Sequence, residues 1–263
     1  MTATGCIGIF DSGVGGLSVL RALRARIPAA TLHYVADSAH APYGERDDAF
    51  ILERSRRIAQ HLVDAGATTL VVACNTATAV AVAPLREAHA GIAIVGVEPG
   101  LKPAVAASRT GRVGVMATGA TLRSAKFRTL LDAHAGSAQM HLQACHGLAA
   151  AIEAGDLDAP GLRDLVERHC APLRAAGVDA VVLGCTHYPF VRPLIEASFD
   201  PDVHIVDTAD AVARRTASVS GPPSHDTPAP VLLETTGDPA QLCTPARRWL
   251  PFACEVRAAP AGL

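Results

Sequence analysis

Ala65-Gly66-Ala67-Thr68-Thr69-Leu70-Val71-Val72-Ala73-Cys74 aligns without a gap on Ala176-Gly177-Val178-Asp179-Ala180-Val181-Val182-Leu183-Gly184-Cys185, 111 positions further along. Each stretch runs from a glycine through an apolar, β-branched segment to a cysteine. Such a short continuous apolar run reads as a strand buried on both faces of a parallel sheet. At the same offset Ile94-Val95 falls on Ile205-Val206, and Leu85–Ala88 resembles Leu194–Ala197 at a slightly shorter one. A fainter match sets Gly8-Ile-Phe-Asp-Ser12-Gly13 against Gly114-Val-Met-Ala-Thr118-Gly119. Parallel strands look alike in any protein, but that does not account for a cysteine closing the run both times. The repeat predicts two similar lobes.

Outward from the repeat, strand patterns cover Cys6–Phe10, Thr31–Ala36, Thr69–Ala73, Ile92–Val97, Arg112–Ala117, Met140–Ala144, Ala180–Leu183, Val203–Val206 and Val231–Thr235. Between them, Leu17–Arg26, Ile51–Ala65, Leu122–Ala133, Pro160–Ala176 and Phe190–Ala197 carry apolar residues at helical spacing. Alternation of this kind means βαβ units, hence an α/β fold of mostly parallel sheets flanked by helices. The expected lobes are residues 1–97 plus 208–263, a discontinuous first lobe, and residues 98–207. The Pro- and Ser-rich stretch Val219–Pro230 reads as a long loop leading to a final strand and helix of the first lobe.

Composition narrows the function. The 263 residues are 49% hydrophobic and 18% charged, with mean hydropathy +0.25, which excludes a disordered chain. Twenty-three basic against 25 acidic residues leave a net charge of −2, without the basic excess of a protein that lives on nucleic acid or an anionic membrane. Seven cysteines, an odd number with no C-x-x-C, do not form a disulfide framework. With no readable signal peptide and no apolar run near the roughly 18 residues of a membrane span, the expectation is a cytoplasmic protein with free thiols.

Cys74 and Cys185 each end a strand and precede a polar turn, Asn75-Thr76 and Thr186-His187-Tyr188-Pro189. Ligands of open α/β sheets gather beyond the carboxyl ends of the strands, and a cysteine there, ahead of a helix, faces amides that favour the thiolate. A lone cysteine is more often a small buried hydrophobe, the reading kept for the other five. A disulfide would leave the flanking Asn, Thr and His unexplained, and a zinc site needs three or four ligands where Cys185-x-His187 offers two. An acid/base pair, one thiol from each lobe on opposite faces of a ligand, fits better: one thiolate removes a proton, the opposed thiol delivers one, and a stereocentre inverts. The active site is then expected in the cleft between the lobes, with no metal and no cofactor. Only Lys102 and Lys126 occur, neither in a setting for a Schiff base.

Asp11-Ser12-Gly13-Val14-Gly15-Gly16 follows the first strand. As a dinucleotide fingerprint it is weak, because serine holds the third glycine position, although Asp37 stands where a ribose-binding acid would. A carboxylate-binding turn suits it better. Pro42-Tyr43-Gly44 is a second crevice loop or an ordinary one with a packed tyrosine. Thr118 and Thr121 either bond a carboxylate or cap a helix. Glu153, in Leu148–Gly155, reads as an exposed helix-end carboxylate.

Together Phe10–Gly16, Asp37 through Ala41-Pro-Tyr-Gly-Glu-Arg46, Val72-Ala-Cys-Asn-Thr-Ala-Thr78, Val113–Thr118, Leu183-Gly-Cys-Thr-His-Tyr-Pro189 and Thr236-Gly-Asp-Pro239 resemble the glutamate racemases of the cofactor-independent Asp/Glu racemase superfamily. The resemblance implies interconversion of L- and D-glutamate for peptidoglycan synthesis in a bacterial cytoplasm, on a homodimer. It implies Cys74 as the base for D-glutamate and Cys185 for L-glutamate, with Asp11, His187 and Glu153 assisting. Asp11, Ser12, Tyr43, Gly44, Asn75, Thr76, Thr186 and His187 would hold substrate. The family usually has Gly-Thr at Ala120-Thr121 and Tyr at Phe127. Two alternatives stand beside it: a sister activity on the same scaffold, and a nucleotide-sensing module built on the glycine turn and Asp37.

Overall fold

The computed structural model describes residues 6–221 and 228–263. In chain order come β1 (Cys6–Asp11), α1 (Leu17–Arg26), β2 (Leu32–Ala36), α2 (Asp48–Asp64), β3 (Ala67–Val72), α3 (Asn75–Ala88) and β4 (Ala93–Gly96). Next are α4 (Leu101–Ala107), β5 (Arg112–Ala117), α5 (Gly119–Arg123), α6 (Ala125–His134), β6 (Gln139–Ala144), α7 (Leu148–Glu153) and α8 (Pro160–Ala175). Then follow β7 (Ala180–Gly184), α9 (Arg192–Ala197), β8 (His204–Val206), α10 (Ala209–Val219), β9 (Val231–Thr235), α11 (Pro239–Trp249) and β10 (Glu255–Ala258).

The chain divides into two compact units, Met1–Val97 with Ala209–Leu263, and Glu98–Thr208. Among the described residues each holds one sheet, and every strand pairing is parallel. The first sheet runs β10-β9-β2-β1-β3-β4 and the second β6-β5-β7-β8. The order β2-β1-β3-β4 is therefore the order β6-β5-β7-β8 in another part of the chain. The sequence repeat lies on β3 and β7, and its fainter partner on β1 and β5. In a parallel sheet all carboxyl ends share one edge, so Asp11, Asp37 and Cys74 lie along one edge of the first sheet. Thr118, Cys145 and Cys185 lie along the matching edge of the second.

The central strands are buried on both faces, as continuous apolar runs require: every residue of β2 and β7 is buried, and Ile7, Ile9 and Phe10 of β1 with them. Beneath one face of the first sheet, Ile51, Ile58 and Leu62 of α2 join Ala77, Ala81 and Leu85 of α3 in a single core. In the second unit Leu162, Val166 and Leu173 of α8 pack with Val181 and Leu183 of β7.

Two of the expected helices differ from the sequence expectation, and β10 is a strand it did not include. The helix expected over Leu122–Ala133 is broken at Ser124, which is extended (φ −66°, ψ 147°) and caps α6 by accepting the Phe127 N–H at 3.1 Å. The Phe190–Ala197 segment starts in a 3₁₀ turn, Tyr188–Val191, before α9. Of the loop expected over Val219–Pro230, residues 222–227 lie outside the described residues, and Val219 still belongs to α10.

Candidate active site

Cys74 stands between β3 and α3, at the helix N-terminus. Its Sγ accepts the Ala77 N–H at 3.5 Å and donates to Ser12 Oγ at 3.8 Å. Ser12 lies 3.4 Å from Asp11 Oδ1, which also accepts the Gly13 N–H at 2.8 Å. All three side chains are buried. The amides of the first turn and the helix dipole stabilise negative charge on a sulfur placed there. Asn75 and Thr76, the first residues of α3, are buried beside it, and Asn75 Nδ2 donates to the Val97 carbonyl at 3.5 Å. The glycines of the first turn serve close approach rather than unusual torsions, since none has a positive φ. A Cβ on Gly16 would come within 2.7 Å of the Asp11 Cβ and 2.8 Å of the Tyr34 hydroxyl.

Tyr43 is fully buried in the core that holds Cys74, and its hydroxyl donates to Asp37 Oδ2 at 2.6 Å. Asp37 is a hub. It also accepts Arg54 Nε and Nη2 at 2.9 and 2.8 Å, and the Thr236 hydroxyl at 2.8 Å, while His40 Nδ1 stands 2.9 Å away. Burial works to raise this carboxyl, but the bonds from Arg54, Tyr43 and Thr236 outweigh it and hold it below the ordinary range. Burial and the Asp37 charge keep the Tyr43 hydroxyl a neutral donor. With its oxygens occupied, Asp37 has no capacity left for a ribose, which removes the support it lent to a nucleotide-sensing module. Gly44, in the same short turn, is half-buried.

In the second unit Cys185 follows β7. No helix starts at this sulfur, unlike the sequence expectation; Thr186 and His187 turn into the 3₁₀ segment instead. Its partner is an imidazole: Sγ lies 3.8 Å from His187 Nδ1, and His187 Nε2 lies 2.6 Å from Glu153 Oε2. Burial disfavours the imidazolium, but its bonds to Cys185 and to Glu153 outweigh burial and raise the His187 pKa well above its ordinary value. Glu153, at the end of α7, is 17% exposed at its side chain and bonded, so it is no idle surface carboxylate. Tyr188 is buried beneath, next to Cys145, whose thiol burial pushes up strongly. Thr118 caps α5 by accepting the Thr121 N–H at 3.1 Å, and its hydroxyl donates to that of Thr121 at 3.0 Å. Thr186 and Thr121 are buried.

The structure thus assembles two triplets, Cys74–Ser12–Asp11 and Cys185–His187–Glu153, one in each unit. Sequence reasoning missed Arg54 and the role of Thr236, both buried or half-buried against Asp37. It also missed a cluster of metal-ligating type. No spacing in the sequence joins its members: the fold gathers His33, His61 and Glu234 in the first unit. Among the described residues no helix is long and apolar enough to cross a membrane.

Comparison with known proteins shows the family. The family model for Asp/Glu/Hydantoin racemase matches residues 17–216. A glutamate racemase of Pseudomonas aeruginosa (strain UCBPP-PA14) is 54% identical over 209 residues, 80% of this chain and 79% of that protein. The crystal structure of a glutamate racemase isoform from Bacillus anthracis superposes with a TM-score of 0.89 at 29% identity, covering 98% of each chain. Escherichia coli glutamate racemase, solved with L-glutamate and the activator UDP-MurNAc-ala, gives 0.83 at 29% identity over 96% of this chain and 99% of that one. The chain is an amino-acid racemase and belongs to the Asp/Glu/Hydantoin racemase family.

Proposed function

We propose that the chain interconverts L- and D-glutamate through two thiols, Cys74 acting on D-glutamate and Cys185 on L-glutamate, and so supplies D-glutamate to peptidoglycan synthesis. We read it as a cytoplasmic homodimer, as its resemblance to this family implies. The observation that carries the reading is topological. β3 and β7 occupy the same place in their sheets, and each leads into a buried cysteine with its own polar partners.

In this reading one thiolate takes the α-proton and becomes a thiol. The opposed thiol gives its proton to the other face of the carbon and becomes a thiolate, so charge is conserved and the enzyme ends in the mirror protonation state. An α-proton is far less acidic than a thiol, so the site must stabilise charge developing on the substrate with fixed donors and exclude water. Asn75, Thr76 and Thr186, buried at the two cysteine turns, are suited to that work. His187, held protonated by Glu153, stabilises an anion at Cys185, as the α3 N-terminus does at Cys74. Asp11, Ser12, Tyr43, Gly44, Thr118 and Thr121 are assigned to holding the substrate. Pyridoxal chemistry finds no anchor in this assignment: Lys126 Nζ pairs with Glu98 at 2.9 Å, and Lys102 is exposed on α4.

A proton donor must approach its carbon to about 3–3.5 Å, so one thiol cannot serve both faces. Cys185→Ala is expected to abolish racemisation while D-glutamate slowly gains α-deuterium in D₂O without inverting. Cys74→Ala is expected to treat L-glutamate likewise. Racemisation by Cys74→Ala at a substantial fraction of the parent rate would mean a single mobile base and refute the proposal.

A further inference from the structure

We infer that the first unit carries a divalent-cation site, of the type zinc occupies, formed by His33 Nε2, His61 Nε2 and the Glu234 carboxylate. β2 supplies His33, α2 supplies His61 and β9 supplies Glu234. His33 pairs with Leu232 and Val35 with Glu234, so His33 and Glu234 project on the same face of the sheet. α2 covers that face: a Cβ on Gly8, the β1 partner of His33, would meet Leu62 at 3.0 Å. The three ligand atoms lie within 4.8 Å of one another.

Both imidazoles converge on one carboxylate oxygen, His33 Nε2 at 2.8 Å and His61 Nε2 at 2.6 Å from Glu234 Oε2. A tetrahedral zinc bound at about 2.0–2.2 Å holds its nitrogen and oxygen ligands about 3.3 Å apart. The two imidazole–carboxylate distances must open by roughly 0.5 and 0.7 Å, and the two nitrogens settle at a like separation from within 4.8 Å, to admit the ion, which replaces two shared protons as the link between these groups. The other oxygen, Oε1, is fixed by Arg257 Nε and Nη2 at 2.9 and 2.7 Å, which keeps the carboxylate charged and aims Oε2 at the imidazoles. Such outer hydrogen bonds are what orient metal ligands. Glu234 itself is 1% exposed, a buried anion whose Oε1 faces Arg257 and whose Oε2, among the described residues, faces only the two imidazoles.

The cluster also has an entrance. His61 is 19% exposed and lines a groove of about 770 Å³ together with Gln60, Asp64 and His89. Arg56 and Arg57 line it too, so affinity for a cation must come from the ligands and not from the groove's charge. Three protein ligands leave the fourth position of a tetrahedral ion to water, as in open zinc sites. Cys74 takes no part: it lies beyond the carboxyl end of β3, whereas His33 is the second residue of β2. Cys6, at the start of β1, is bonded to the His33 backbone and is not one of the three ligands.

Chelator-stripped, full-length protein titrated with Co²⁺ alone tests the site by visible absorption, and Zn²⁺ alone by calorimetry and thermal unfolding. One equivalent is expected, with nitrogen/oxygen-type cobalt bands, no thiolate charge-transfer band, and a zinc-dependent rise in Tm. His61→Ala should weaken uptake at least 100-fold and abolish the rise. His61→Phe should do the same while keeping the edge-on ring contact with His33, 5.7 Å between centroids, and so guards against a folding defect. No uptake by the parent chain, a thiolate band, or uptake that survives both substitutions would overturn the assignment.

Discussion

His187 Nε2 lies 2.6 Å from Glu153 Oε2, an ion pair between residues 34 positions apart, and the far side of the same imidazole faces Cys185. The pair links Cys185, through one imidazole, to a carboxylate that never touches it.

Glu153→Gln removes one of the two interactions that raise the His187 pKa. A raised histidine keeps its charge until the pH climbs through its folded value, so the alkaline limb of the activity profile should move to lower pH. kcat/KM should fall by about 10²-fold, the low end of what acid–base groups contribute. The fall should be equal in both directions, because two enantiomers have an equilibrium constant of unity. A pH-rate profile measured from both enantiomers checks it.

Ser12→Ala deletes the hydroxyl between Cys74 and Asp11. Losing one hydrogen bond of about 1 kcal/mol at the reacting sulfur should lower kcat roughly five- to tenfold with little change in folding. A KM effect without a kcat effect would confine Ser12 to holding the substrate, with no influence on the thiol.

Asp37→Asn should destabilise the protein by about 3–5 kcal/mol, because Arg54 is left charged and buried without its partner. Tyr43→Phe removes a single bond to the same carboxylate and should cost about 1 kcal/mol. Urea unfolding midpoints distinguish the two.

Asp179 gives a pH signature of the second unit. Burial opposes its ionisation, but the Ser108 hydroxyl and the backbone N–H groups of Thr110 and Arg109 bond it and hold its pKa at about 2. A depressed carboxyl contributes stability in full above its unfolded value near 3.9, and loses it as pH falls through the folded value. Asp179→Asn should therefore lower stability at neutral pH and flatten the acid limb between about pH 4 and 2, read by thermal melts across that range.

The repeat made the architecture legible because parallel strands announce themselves as apolar runs. β5 and β9 begin and end where the pattern placed them, at Arg112–Ala117 and Val231–Thr235. β10 escaped notice because an edge strand buries little, and Glu255 and Arg257 break its apolar pattern. The two cysteines were legible as strand ends, but what surrounds them was only partly so. Asp37 stood out, yet its partners Arg54 and Thr236 lie 17 and 199 residues away, and nothing local marks such pairings. His33 and Glu234 meet across 201 residues, so no spacing rule could have joined them.

The first unit is closed by its own last segment, and this matters on the ribosome. Residues 98–208 leave the tunnel as one continuous run and can complete their four-stranded sheet while the chain is still being made. The first unit must wait. Until residues 231–258 emerge, β2 has no neighbour on its outer side, and its unpaired backbone and the buried histidine it carries lie open to passing strands. Nascent chains halted between residues 208 and 230 should therefore be more prone to aggregation than the finished protein, with β2 as the sticky edge.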